Sequence, residues 1–231
     1  MRNHCALLMS FVLIAATSAG QENKHNLHST PLNDGSRESV DVVFIGTDCG
    51  IGNFGAKEAS RKVWDKHFGR LKTVRLHIGG EDWTAPKLPL QRCEAKVVVM
   101  LVGGRPVVID RKDPVAVAKG IATTLKLVRE SQPQAKVVLC GIPLPPTPGF
   151  LNRPIGPNQE LAGDQVARTN ELVAKLADGK WVFFVDPVLK MRPRLKEISE
   201  GLKMQTDLHD VTAIWECIAE TMDEAVRPLL K

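Results

Sequence analysis

Apolar residues recur along this chain in two patterns. One is the short unbroken run: Val42-Val43-Phe44-Ile45, then Val97-Val98-Val99-Met100-Leu101-Val102 within 95–102, then Val137-Val138-Leu139 within 135–142. Runs without polar alternation suit strands covered on both faces, as in a parallel sheet. Two further stretches, 73–78 and 181–186, complete the set of predicted strands. The second pattern is helical spacing. It covers 56–68, with Val63, Trp64 and Phe68 on one face, and a stretch opened by Asp113-Pro114 in which Val115, Ala118, Ile121, Ala122, Leu125 and Val128 recur. It returns over 161–177 and over 211–230, where Ile214, Trp215, Ile218 and Met222 form the buried stripe. Asp113 is placed to cap its helix, with proline at the first helical position. Pro86 and Pro89 mark an irregular or short helical stretch, and 143–158, with six prolines, reads as a long loop. Strand and helix alternate with no internal repeat. The pattern predicts a single α/β domain, a three-layer α/β/α sandwich on a mostly parallel sheet, of the flavodoxin-like kind.

The first twenty residues stand outside that pattern. Arg2 heads an apolar run, 6–16, followed by small residues 17–20 and then polar Gln21-Glu22-Asn23. That is the layout of a secretory signal, cleaved near Ala19 or Gly20, and it is short for a membrane span; an uncleaved anchor is the alternative. The organisation read from the chain is therefore a signal peptide at 1–20, a polar flexible leader at 21–39 and the domain at 40–231. The expected location is secreted or periplasmic, with no stable membrane span after cleavage. A formal charge of +5 is spread along the chain, without the clustered basic stripe of a nucleic-acid binder. Four cysteines follow the signal, Cys49, Cys93, Cys140 and Cys217, and allow three disulfide connectivities. None has metal-like spacing, so no metal or other cofactor is expected.

The first predicted strand runs into Gly46-Thr47-Asp48-Cys49-Gly50, part of a turn with glycines at 46, 50, 52 and 55. Ligands bind at the carboxyl ends of the strands in open α/β sheets, so this polar triplet is the first candidate site. The plainer reading is a glycine-rich turn in which Cys49 is simply a small residue. His77 reads as a strand histidine in polar surroundings.

Strand ends at Gly46, Gly80 and Gly104, with Asp207-Leu208-His209 late in the chain, resemble the SGNH or GDSL-type hydrolases. The likeness is to the branch that contains the platelet-activating-factor acetylhydrolase subunits. Segments 62–68, 78–80, 132–138 and 169–176 carry much of it, and it extends over roughly 40–230. It implies the hydrolase fold and acyl-ester chemistry. A serine in a Gly-Asp-Ser turn would attack, a glycine amide and an asparagine would hold the oxyanion, and an Asp-x-x-His would supply the base.

This chain departs from that pattern at three places. Without a gap, Asp48 falls on the nucleophile; with one inserted residue, Cys49 does, and a thiolate is a capable nucleophile. Both registers stay open. Gly80 matches the glycine donor. Arg105 stands where the asparagine is usual, and His209 matches the base. The residue three before it is Thr206, however, and Asp207 lies two before it. The site set is thus Asp48, Cys49, Asp207 and His209 for catalysis and Gly80 and Arg105 for oxyanion or ligand binding. Two functions are expected from it. One is an exported hydrolase-fold protein that has lost the standard residues and keeps a ligand, an acylated or anionic small molecule or a carbohydrate. The other is an active acyl-ester hydrolase, deacetylase-like, using Cys49 and His209.

Overall fold

The computed structural model describes residues 37–46, 58–77, 90–108, 110–143, 159–204 and 211–231. Five strands are described: β1 (Glu38–Gly46), β2 (Thr73–His77), β3 (Cys93–Leu101), β4 (Lys136–Cys140) and β5 (Val182–Val185). All neighbours pair in parallel, in the order β2-β1-β3-β4-β5. The helices are α1 (Glu58–Phe68), α2 (Gly104–Val108), α3 (Pro114–Ser131), α4 (Gln159–Ala174), α5 (Val188–Met191), α6 (Leu195–Met204) and α7 (Thr212–Leu229).

The unbroken apolar runs follow from a core on each side of the sheet. Successive strand side chains point to opposite faces. Val43 and Ile45 of β1, Val98 and Met100 of β3, and Val137 and Leu139 of β4 enter one core with α2, α3 and α4. Their alternates, Val42, Phe44, Val97, Val99, Val138 and Cys140, enter the other with α1, α5, α6 and α7. The three-layer sandwich expected from the sequence is therefore present. On the α7 side, Phe44 packs edge-on against Trp64 and Phe68, with ring centroids 4.7 and 5.0 Å away.

The predicted elements are found within a few residues of their expected ends, with some differences. β1 begins at Glu38, two residues inside the stretch read as leader, because Glu38 and Ser39 pair with Cys93 and Glu94 of β3. Asp113 does cap α3, its Oδ2 accepting from the Ala116 amide at 3.1 Å. The buried stripe of α7 includes Ile214, Trp215, Ile218 and Met222 as expected. α2, α5 and α6 carry no expectation from the sequence. The loop read at 143–158 lies outside the described residues beyond Pro143, as do Pro86 and Pro89. The 3₁₀ turn Leu90–Arg92 follows the latter. No helix among the described residues is long and apolar enough to cross a membrane.

Candidate functional site

The strand order places a topological switch between β1 and β3. From β1 the chain crosses by way of α1 to β2 on one side, and β3 lies on the other side. In doubly wound sheets the crevice outside the carboxyl ends of two such strands is the ligand position. Here those ends are level, since Gly46 pairs with Leu101. Four residues beyond Leu101 stands Arg105.

The local backbone explains how Arg105 comes to this edge. Gly103 has φ +97°, a conformation side chains resist, and an added Cβ would lie 3.1 Å from Ile121 Cδ1 and 3.3 Å from Val117 Cγ1. Only a glycine lets the chain turn this close to α3. The turn opens α2, where Val107 and Val108 are buried and Arg105 stays partly exposed. The Arg105 side chain keeps 42% of its exposure, and its Nε is buried without a hydrogen-bond partner among the described residues. The nearest carboxylate recorded for it is Asp110, 3.8 Å away from Nε and past hydrogen-bond reach. A buried guanidinium N–H without an acceptor is uncommon and calls for one.

The β4 end of the same edge is braced. Asn170 of α4 accepts from the Ile142 amide at 2.8 Å and donates to the Ile142 carbonyl at 3.2 Å. Gly141 fits beneath it, since a Cβ there would meet Phe184 at 3.1 Å and Asn170 at 3.2 Å. After β5, Asp186 accepts from the Val188 amide at 3.0 Å and starts α5. Neither Asn170 nor Asp110 was singled out by sequence reasoning. Their partners are set by the fold, and no motif spacing announces them.

Of the residues expected at the site, Arg105 is described and lies at the switch. Asp48, Cys49, Gly80, Asp207 and His209 lie outside the described residues. Cys93, Cys140 and Cys217 are free, buried thiols. Burial, followed by the charge of Glu38, pushes the Cys93 thiol up to about 11. Burial and then Asp186 push Cys140 higher still, and burial raises Cys217. None of the three is a thiolate near neutral pH, so none is a candidate nucleophile. Among the described residues no group of three or more His, Cys, Asp or Glu side chains could hold a metal ion.

A parallel five-stranded sheet in this order, layered by helices on both faces, is the fold of the SGNH/GDSL acylhydrolases and esterases, and the chain has that fold. Its sequence is similar to two platelet-activating factor acetylhydrolase IB subunits. It is 28% identical to alpha1 of Bos taurus over 167 residues, and 25% identical to alpha2 of Gallus gallus over 128. These alignments cover 70% and 53% of this chain. The chain spans only 64% and 52% of the length of those curated relatives. No family model matches the chain.

Among solved structures, a carbohydrate esterase family 2 enzyme with a carbohydrate binding domain, from Corynascus thermopiles, superposes with a TM-score of 0.54 at 14% identity. That match covers 87% of this chain and 69% of the other. An acetylxylan esterase from Geobacillus stearothermophilus gives 0.52 at 16% identity, covering 84% and 96%. A lipase from a goat rumen metagenome gives 0.52 at 13%, covering 81% and 97%. At such identities the likeness is one of fold.

Proposed function

We propose that this is an exported protein of the esterase and acetylhydrolase-like fold that has left standard ester hydrolysis and binds an anionic ligand at the β1/β3 switch through Arg105. His209 is the second contact, and the ligand class is an acylated or anionic small molecule or a carbohydrate. One observation carries the reading: Arg105 stands at the switch, part exposed, with a buried Nε that has no hydrogen-bond partner among the described residues. Guanidinium prefers carboxylate or phosphate, which it grips through two parallel N–H bonds, whereas an asparagine donor serves a single oxyanion. The sequence departures at nucleophile, orienting acid and oxyanion donor point the same way. The export part of the proposal rests on the signal-like pattern of residues 1–20 alone.

Calorimetric titration of the mature chain with inorganic phosphate tests this. Binding is expected at low salt, weakening as salt is added. Arg105→Ala should weaken it by about ten- to a hundredfold, the worth of a charged hydrogen bond or two. Arg105→Lys keeps the charge but loses the fork, and should recover only part of the affinity. Phosphate affinity indifferent to both substitutions would overturn the reading.

A second reading is an active acyl-ester hydrolase in which a Cys49 thiolate attacks, His209 takes its proton and the Gly80 amide holds the oxyanion. The observation that favours it is the free state of Cys93, Cys140 and Cys217, which leaves none of them to consume Cys49 in a disulfide.

A further inference from the structure

The chain passes from α2 to α3 by a turn of the kind that glycine ordinarily makes. Arg111 has φ +50°, and among the described residues it is the one residue other than glycine with a positive φ. Glycine adopts this left-handed conformation freely and Asn or Asp adopt it at some cost, whereas a long side chain is rarely found there.

The turn is tied on both sides of Arg111 by backbone groups. The Asp110 amide donates to the Arg105 carbonyl at 3.1 Å, and the Lys112 amide donates to the Pro106 carbonyl at 2.8 Å. Asp113 then caps α3 through the Ala116 amide. All of these bonds would survive a glycine at 111, which would take the same φ without strain. Strain retained where glycine would serve marks a position at which the side chain has a task.

The place of the turn says which task. α3 crosses between the parallel strands β3 and β4, so its start, and the turn before it, lie at the carboxyl edge that carries Arg105. The Asp110 carboxylate comes to 3.8 Å from Arg105 Nε, and Arg111 is the next residue. Arg111 and Lys112 are exposed. The two carboxylates of the turn are already placed, Asp110 toward Arg105 and Asp113 on the first turn of α3.

We propose that Arg111 is a second ligand contact of the Arg105 site, and that the ligand carries two linked anionic groups of the diphosphate type; this rests on the reading of Arg105 given above. Arg105 takes one phosphate group and Arg111 the other, each through the N–H fork that suits phosphate oxygens. Asp110 opposes any anion brought to Arg105. A single phosphate has one guanidinium to offset that repulsion, and a linked pair has two.

Calorimetric titration of the purified protein with inorganic phosphate and with pyrophosphate, in metal-free buffer, tests it. The wild type should bind pyrophosphate about tenfold more tightly, or better. Arg111→Gly should lose most of that preference while its phosphate affinity stays within about twofold of the wild type. Its urea midpoint should be unchanged or higher, because glycine relieves the strained turn. Lys119→Gln removes an equal charge from the exposed side of α3 and should keep the preference, which separates contact from general attraction. Four results would overturn the proposal: no preference in the wild type, a preference kept in Arg111→Gly, an equal loss in Lys119→Gln, or a loss in Arg111→Gly that comes with a lowered midpoint. Failure of the wild type to bind either anion, or binding unchanged in Arg105→Ala, would overturn the reading of Arg105 itself.

Discussion

Gln132 shows how much of this fold depends on single buried polar groups. Its side chain is 3% exposed, and it donates to the Leu90 and Cys93 carbonyls at 2.6 and 2.7 Å while accepting from the Ala95 amide at 3.0 Å. One amide thus joins the end of α3 to the 3₁₀ turn and to the start of β3. Each stranded buried group costs about 1–3 kcal/mol. Gln132→Ala should therefore lower stability by about 3 kcal/mol or more, readable as a reduced urea midpoint with unchanged slope. Arg105 is the contrasting case, since the described structure leaves its Nε without a hydrogen-bond partner. Gln132 and Arg105 look alike in sequence, as polar residues near strand ends. What separates them is satisfaction of their donors, which depends on groups brought near by the fold. The sequence marked Arg105 only through its place in a resemblance, and it did not mark Gln132 as a polar brace at all.

At the scale of elements, legibility followed the number of faces an element buries. β1, β3 and β4 bury both, and their apolar runs were read within two residues of the ends of β3 and β4, though four residues short of the start of β1. α3 and α7 were equally plain, because a wide apolar stripe repeats at helical spacing over 18 residues in each. α2, α5 and the 3₁₀ turn after it were not read. They are five, four and three residues long, the last being Arg192–Arg194, and contain or abut Pro106, Pro187 and Pro193. Proline there sits at helix starts or within short turns, where its missing N–H costs little, and a breaker reading hides it. The Asp113 cap was legible because its chemistry is local. Asp113→Ala should destabilise the protein by about 1 kcal/mol, and Asp113→Asn by less, in thermal melts.

Across the whole molecule, the mostly parallel sheet could be inferred from the alternation of strands and helices, whereas its order, and with it the switch between β1 and β3, came from the structure. The resemblance to the SGNH/GDSL hydrolases extended that inference correctly to the fold. The same resemblance only proposes a site, through its departures: Asp48 or Cys49 for serine, Arg105 for asparagine, and Asp207 out of step with His209. A fold survives such changes because its two cores draw on other residues, from Val42 and Phe44 on one face to Val43 and Ile45 on the other. Chemistry does not survive them unless a new nucleophile and base have taken over. The distinction between a binding protein and a thiol hydrolase therefore comes down to catalysis at one turn. Turnover of a short-chain activated acetyl ester by the purified protein, beside Cys49→Ala and His209→Ala, addresses it most directly. No turnover above the uncatalysed background is expected in any of the three proteins, with phosphate binding through Arg105 intact in the wild type. Turnover by the wild type that disappears in both variants would contradict it and establish Cys49 as the nucleophile of an active hydrolase.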